Sequence, residues 1–538
     1  MTSGVSRRAI LRGAAATAAV GATTAATAGV TAGAAEAAPV HDAGKLAHGL
    51  DLETATIADL RPLLDSGKLS SEDLTRAYLE RIEQLDSQPP ALNAVRMINP
   101  RALDEARDAD KRLRAYLRKK QPYSPLLGIP VLIKDNIDAT PMPTTAGSVA
   151  LARSFPAVDA PLVVQLRAAG AVIIAKGNLT EFANFLTSGM PGGYSSLGGQ
   201  VINAYDASQS PSGSSSGPGV AASVGLATLT IGTETSGSIL SPSAANSDVG
   251  IKPTVGLVSR TGIVPIAASQ DTAGPIVKAV ADAAALLTVI AGADPLDAAT
   301  ADNPLTGHDF TADLKKDALA GARIGVVASQ VPAAGTDNRA LWDAATAVLT
   351  QLGAVLVPVT LDTSSTIPGG SSVLGYEFKR DLNTYLSRLP AHAPMKTLAD
   401  IIAYNTAHAQ AATKFGQTQA IASQAKDITP GSADTLKYTA DRAQDLLDSK
   451  GRIDALMAAN SLTALMFAGS GSAGIGAKAG YPSISIPAGY LASNRRPFNI
   501  SFLGQAWSEP ALTGYAYAYE QASLLRQPPS AINPTLFS

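Results

Sequence analysis

The apolar positions of this chain fall into two rhythms. Leu74, Tyr78 and Ile82 recur at a spacing of four, which predicts one apolar face of a helix. Ser70-Ser71-Glu72-Asp73 precedes that face, an N-cap followed by acidic residues in the first turn. Leu126–Ile133 is a continuous apolar run after proline-rich residues and predicts a buried strand, with Lys134 at its end. Val163–Ala169 reads as a helix, and Ala171-Val-Ile-Ile-Ala175 as another buried strand. The small apolar stretch Ala221–Ile231 reads as a buried helix and then a strand. Strands alternating with helices predict an α/β layered fold. Residues 360–450 are less strand-like and richer in helix-period pattern, and are expected to form an insertion or cap on the main sheet of a domain spanning 51–538. No internal repeat stands out.

The N-terminus carries an address. Ser6-Arg7-Arg8-Ala9-Ile10-Leu11 is a twin-arginine pattern, an Ala/Thr/Gly-rich stretch runs from Ala14 to Ala35, and Ala35-Glu36-Ala37 is a small-residue cleavage site. Residues 1–37 are therefore expected to be a twin-arginine signal peptide that engages the export machinery, giving a secreted or periplasmic protein, with 38–50 a linker. A formal net charge of −2 over 538 residues leaves no electrostatic footprint for nucleic acid. No run of about 18 or more strongly apolar residues follows residue 40, so no membrane span is expected. Oligomeric state is not legible.

The densest chemistry is glycine and serine. Ser212-Gly-Ser-Ser-Ser-Gly217 is followed by Gly232-Thr-Glu-Thr-Ser-Gly-Ser238. The chain has no cysteine, and no histidine lies between His48 and His308. A hydrolase built on these residues takes serine as its nucleophile, and lysine is the strongest remaining base, as in Ser-Lys variants of the serine hydrolase scheme. Lys134, in Val-Leu-Ile-Lys-Asp-Asn, is the candidate. Amide hydrolysis needs a hydroxyl deprotonated as it attacks, donors where the oxyanion develops, and a proton for the leaving amine. Glycine-rich turns let backbone N–H groups face an oxyanion unobstructed by Cβ.

Taken together, these motifs resemble the amidase signature family. Gly250-Ile-Lys-Pro-Thr254, Thr144-Thr-Ala-Gly-Ser148, Gly177-Asn-Leu-Thr-Glu-Phe-Ala183 and Asp271-Thr-Ala-Gly-Pro275 extend the resemblance, as do Gly480-Tyr-Pro482, Pro487-Ala-Gly489 and Tyr519-Glu-Gln521. It covers roughly residues 51–525 and implies the family's α/β fold, a large mixed β-sheet core sandwiched by α-helices on both faces, in a single domain with a helical substrate-cap insertion. It implies a Ser–cis-Ser–Lys triad of Ser238 as nucleophile, Ser214 after a cis peptide bond, and Lys134 as base. It also implies oxyanion donors in the backbone of Thr235, Ser236, Gly237 and Ser238, support from Ser215 and Asp271, and neither metal nor cofactor. Lys134 must then be neutral. Bringing a lysine from about 10.4 to ~7–8 takes about 4 kcal/mol, mostly from desolvation. Ser212, Ser216 and Pro218 stand where the family usually has glycine and small residues, and Leu240 where many members have arginine.

Within the family, Val249–Arg260, Ile266–Pro275, Tyr376-Glu-Phe-Lys379, Thr397–Ala403 and Phe415-Gly-Gln417 look most like the peptide amidases, which release ammonia from C-terminal amides of peptides. The alternatives are a small, aryl or fatty amide as substrate, the amidase component of a glutamine amidotransferase, and a non-catalytic binding protein. Gly213-Ser-Ser-Ser-Gly217 also matches a nucleophile elbow, which would make Ser215 the nucleophile of a Ser-His-Asp hydrolase, but His308, His392 and His408 lie in no supporting motif. Gly469-Ser-Gly-Ser-Ala-Gly474 matches a dinucleotide fingerprint. Gly476, Gly480 and Pro482 argue against the helix such a site needs, so a loop lining the substrate entrance is expected. The five histidines form no close metal-ligand pair.

Overall fold

A computed structural model describes residues 49–88 and 91–536. The expected signal peptide and most of the linker lie outside the described residues. The main sheet is built from β1 (Val95–Ile98), β2 (Pro130–Lys134), β3 (Val172–Gly177), β6 (Leu229–Glu234), β7 (Val249–Lys252), β8 (Thr272–Val277), β9 (Arg323–Val327), β10 (Val355–Val359), β11 (Ala464–Ala468), β12 (Ser483–Tyr490) and β13 (Pro497–Leu503). A two-residue pair, β4 (Tyr194–Ser195) and β5 (Gly199–Gln200), stands apart from it. The sheet order is β1-β3-β2-β6-β8-β7-β12-β13-β11-β9-β10. Pairing is parallel for β3/β2/β6 and for β11/β9/β10, and antiparallel across the middle.

Every residue of β2, β3, β6 and β8 is buried, so both faces of the sheet are covered. That is why Val131-Leu-Ile133 and Val172-Ile-Ile-Ala175 read as unbroken apolar runs and not as alternating ones. The helix Ser71–Ile82 begins as its sequence dictates: Ser70 Oγ accepts from the Asp73 amide, and Leu74, Tyr78 and Ile82 face the core. The helix expected at Val163–Ala169 starts at Pro161, whose fixed φ suits the first turn, and ends against Gly170. Among the described residues, no helix is long and apolar enough to cross a membrane.

Two elements differ from their sequence reading, both because glycine hides them. A helix spans Ser216–Ser223, so it begins inside the Gly/Ser run and not at Ala221. Gly217 permits it: a Cβ there would lie 2.3 Å from the carbonyl oxygens of Ala94 and Asn178. Likewise Ala473–Ala479 is a helix following β11, where the glycines argued for a loop. Gly480 stops it in the left-handed conformation, φ 72°.

Topology gathers the ends that matter. β2 and β6 are parallel neighbours, so Lys134 and Glu234 leave the sheet at the same edge. β8 runs the other way, with Glu234 opposite Thr272, which brings Asp271 to that edge too. This is the carboxyl-end crevice where open α/β sheets bind ligands. Between β10 and β11 the chain is helical, with Val373–Ser387, Leu398–Ala407, Thr418–Gln424 and Ala433–Leu446 among its elements. Phe378 of this segment meets Phe182 and Phe185, which follow β3, edge to face at 6.2 and 5.0 Å between ring centres.

Candidate active site

Lys134 is fully buried at the end of β2. Its Nζ lies 2.8 Å from Ser214 Oγ, 2.9 Å from Thr233 Oγ1 and 3.2 Å from the Thr233 carbonyl oxygen. Burial pushes its pKa down to about 7, against the opposing pull of Glu234 and Asp271. The apolar strand thus does to this lysine what the chemistry of a neutral base needs. The Gly213–Ser214 peptide bond is cis. The Ser214 carbonyl accepts from the Thr180 amide at 3.1 Å, which ties the serine loop to the end of β3.

Ser238 closes the turn after β6 and is 8% exposed. Its carbonyl accepts from the Ser215 amide at 3.3 Å, which holds the two serine loops together. Glu234 clamps the same turn: one carboxylate oxygen accepts from the amides of Ile239 and Leu240 at 2.7 and 3.0 Å. Gly237 has φ 98°, a conformation side chains resist. Among the described residues, the backbone N–H groups of Thr235, Ser236, Gly237 and Ser238 find no protein acceptor. Four unpaired donors thus lie on one tight turn beside Ser238.

The supporting residues fall on either side. Ser215 Oγ donates to the Thr233 carbonyl at 3.0 Å, so its hydroxyl is engaged and no histidine touches it. His308 instead bonds Asp313, and His408 stacks on Tyr404. Asp271 accepts from Thr235 Oγ1 at 2.5 Å and from the Ile266 and Ala267 amides at 2.9 Å. Burial outweighs these bonds and raises its carboxyl to about 7.

Two cavities border the turn. The larger, about 520 Å³, is lined by Asn136, Thr235, Arg260, Asp271, Tyr385 and Leu389, so the helical segment after β10 forms one wall. Tyr385 fastens that wall by donating to Asp138 at 2.8 Å. The smaller, about 310 Å³, is lined by Ser236, Gln270, Ser371, Asp445, Gly471 and Lys478. Gly471 places the glycine-rich segment after β11 across this cavity from Ser236. Three residues with no role in the sequence reading also sit here: Thr233, Asn136 and Glu234. All three stand inside quoted motifs, Gly-Thr-Glu and Lys-Asp-Asn, and only the register of β2 against β6 reveals their places.

The amidase family model matches residues 73–466. The chain belongs to the amidase family. A probable amidase of Arabidopsis thaliana is 39% identical over 91% of this chain and 94% of its own length. Peptide amidase from Stenotrophomonas maltophilia, a solved structure, is 43% identical, with a TM-score of 0.82 covering 88% of this chain and 98% of that one. A putative amidase of Arthroderma benhamiae is 43% identical, over 54% of this chain and 49% of its own. This amidase is accordingly a hydrolase of amide C–N bonds, on the large mixed sheet of its family.

Proposed function

We propose that this amidase hydrolyses C-terminal amides of peptides through Lys134, Ser214 and Ser238, and that it does so after export. The hydrogen bond from a buried lysine, held near neutrality, to Ser214 carries the reading. Neutral Lys134 takes the Ser214 proton as Ser214 takes that of Ser238, and Ser238 Oγ attacks the amide carbon. The carbonyl electron pair moves onto oxygen, facing the N–H groups of Thr235 to Ser238. Collapse of this adduct breaks the C–N bond, and the relayed proton returns through Ser214 to nitrogen, releasing ammonia. Water then attacks the acyl-serine by the same relay and frees the acid. Asp271 holds Thr235 in the turn. The helical segment after β10 covers the acyl chain as a cap.

The likeness to the Stenotrophomonas peptide amidase along nearly all of both chains supports the peptide substrate. Similarity to the Arabidopsis amidase along nearly the whole of both chains favours a stand-alone hydrolase over a component of an amidotransferase. Ammonia release from an amidated dipeptide, a fatty amide and an aryl amide tests the reading. The peptide amide should be the best substrate, and Ser238→Ala and Lys134→Ala should each abolish turnover. Turnover of another amide alone would discard the peptide substrate, and full activity in Lys134→Ala would discard the base.

A further inference from the structure

A neutral lysine acts as a base only through the direction its lone pair takes. Nζ carries Cε and three further tetrahedral directions. In this site those directions meet three oxygens: the Thr233 carbonyl, Thr233 Oγ1 and Ser214 Oγ. The carbonyl can only accept, so that direction always holds an N–H. Thr233 Oγ1 also receives the Asn136 side-chain amide at 3.0 Å. A hydroxyl oxygen has two lone pairs; Asn136 takes one, and the other is open to a second N–H of Lys134, the arrangement that also serves the ammonium form. In that arrangement both hydrogens of the neutral amine lie on Thr233, and the lone pair is left for the hydroxyl of Ser214.

We propose that Thr233 is a positioning residue: its carbonyl and hydroxyl oxygens together orient Lys134 so that its remaining direction faces Ser214, with Asn136 holding the hydroxyl in its accepting role. This rests on the assignment of Lys134 as the base. Thr233 is well fixed for the task. It pairs with Ala273 across β6 and β8, its amide donates to Ser215 Oγ at 3.2 Å, and its carbonyl accepts from the same hydroxyl. After Lys134 takes the proton, the three oxygens accept all three N–H groups, so the ammonium is satisfied without any rearrangement.

Thr233→Val removes only the hydroxyl from a residue of the same shape, while Thr233→Ser keeps it. In the valine variant kcat should fall about 10- to 100-fold with KM within about twofold, since the loss lies in general-base chemistry and not in substrate binding. The serine variant should stay within about threefold of wild type, and Asn136→Ala should show a smaller fall than valine. A second readout separates this role from a structural one. Thr233 Oγ1 accepts from the ammonium and so favours the charged form; without it the acid limb of kcat/KM should move down by about one pH unit. Glu234 and Asp271, the charged groups acting on Lys134, are unchanged in these variants. Wild-type kcat in the valine variant, an unmoved limb, or equal losses in valine and serine would each overturn the proposal. If Lys134→Ala keeps wild-type activity, the base assignment itself fails, and a normal kcat in the valine variant beside a dead Lys134→Ala overturns the positioning role alone.

Discussion

At the scale of residues, the site stores its reactivity as cost. Lys134 titrates near 10.5 when solvated and near 7 when buried. Between those values the unfolded chain binds a proton that the folded chain does not, so stability falls as pH drops from 10.5 to 7. Below about 7 both states are protonated and the cost is complete, a few kcal/mol. Lys134→Met should therefore gain stability over wild type at pH 6 by more than at pH 9.5. Urea denaturation at the two pH values checks this, and a gap that stays constant would show a lysine already neutral when unfolded or still charged when folded. The same titration sets the activity: kcat/KM should fall below about pH 7 as Lys134 is protonated. Asp271, whose carboxyl also sits at about 7, needs separating from it, and Asp271→Asn should leave an acid limb in place. Gly237 is a different kind of cost. An alanine there would be forced to φ 98° with its Cβ 3.0 Å from Ser241 Oγ. The turn would shift its N–H groups, and kcat should fall by about 10²-fold or more, with KM and the melting temperature little changed.

Elements show what a sequence can and cannot disclose. Ser70 as a cap, the apolar runs of β2 and β3 and the basic residue at the end of β2 were all legible, because local rules fix them. The Lys134, Ser214 and Ser238 set came from motif resemblance, and the structure brings Lys134 and Ser214 into hydrogen-bond contact and ties the Ser238 loop to Ser215. The place of Thr233 was not legible, since nothing local says that β6 lies beside β2. The helices Ser216–Ser223 and Ala473–Ala479 are obscured for another reason: glycine lowers helix propensity, yet at Gly217 close backbone packing demands it. The helix period of residues 360–450 is legible, while the way they attach is a matter of aromatic packing. Phe378 is buried between Phe182, Phe185 and the rest of its cluster. Phe378→Ala should cost about 3–5 kcal/mol locally. Hydrogen exchange should quicken in Val373–Ser387, and KM for a peptide amide should rise more than kcat falls. Equal effects on a peptide amide and on a small amide would deny this segment a part in holding the peptide.

For the molecule as a whole, the two ends of the described chain are stitched into one body. Glu53 accepts from the Ser530 amide at 3.0 Å, the Ile57 amide donates to Asp282 at 3.1 Å, and Arg81 reaches the Val224 carbonyl at 2.9 Å. The sheet runs unbroken from β1 to β10, so nearly every strand depends on partners distant in sequence. Such a fold is dominated by non-local pairing, and the chain has no cysteine. Both properties suit a protein that folds first and is exported afterwards, which is what the Arg7-Arg8 pattern proposes. A chain begun at residue 38 should then match the full chain in melting temperature and in amide turnover. Arg7→Lys together with Arg8→Lys should leave fully active enzyme inside the cell, while the wild-type chain appears outside with a new N-terminus near residue 38. Cell fractionation with N-terminal sequencing decides the matter. Equal export of the double-lysine variant, or an exported chain that retains Arg7 and Arg8, would remove the twin-arginine route. Loss of turnover in the shortened chain would instead show that residues 1–37 take part in forming the enzyme.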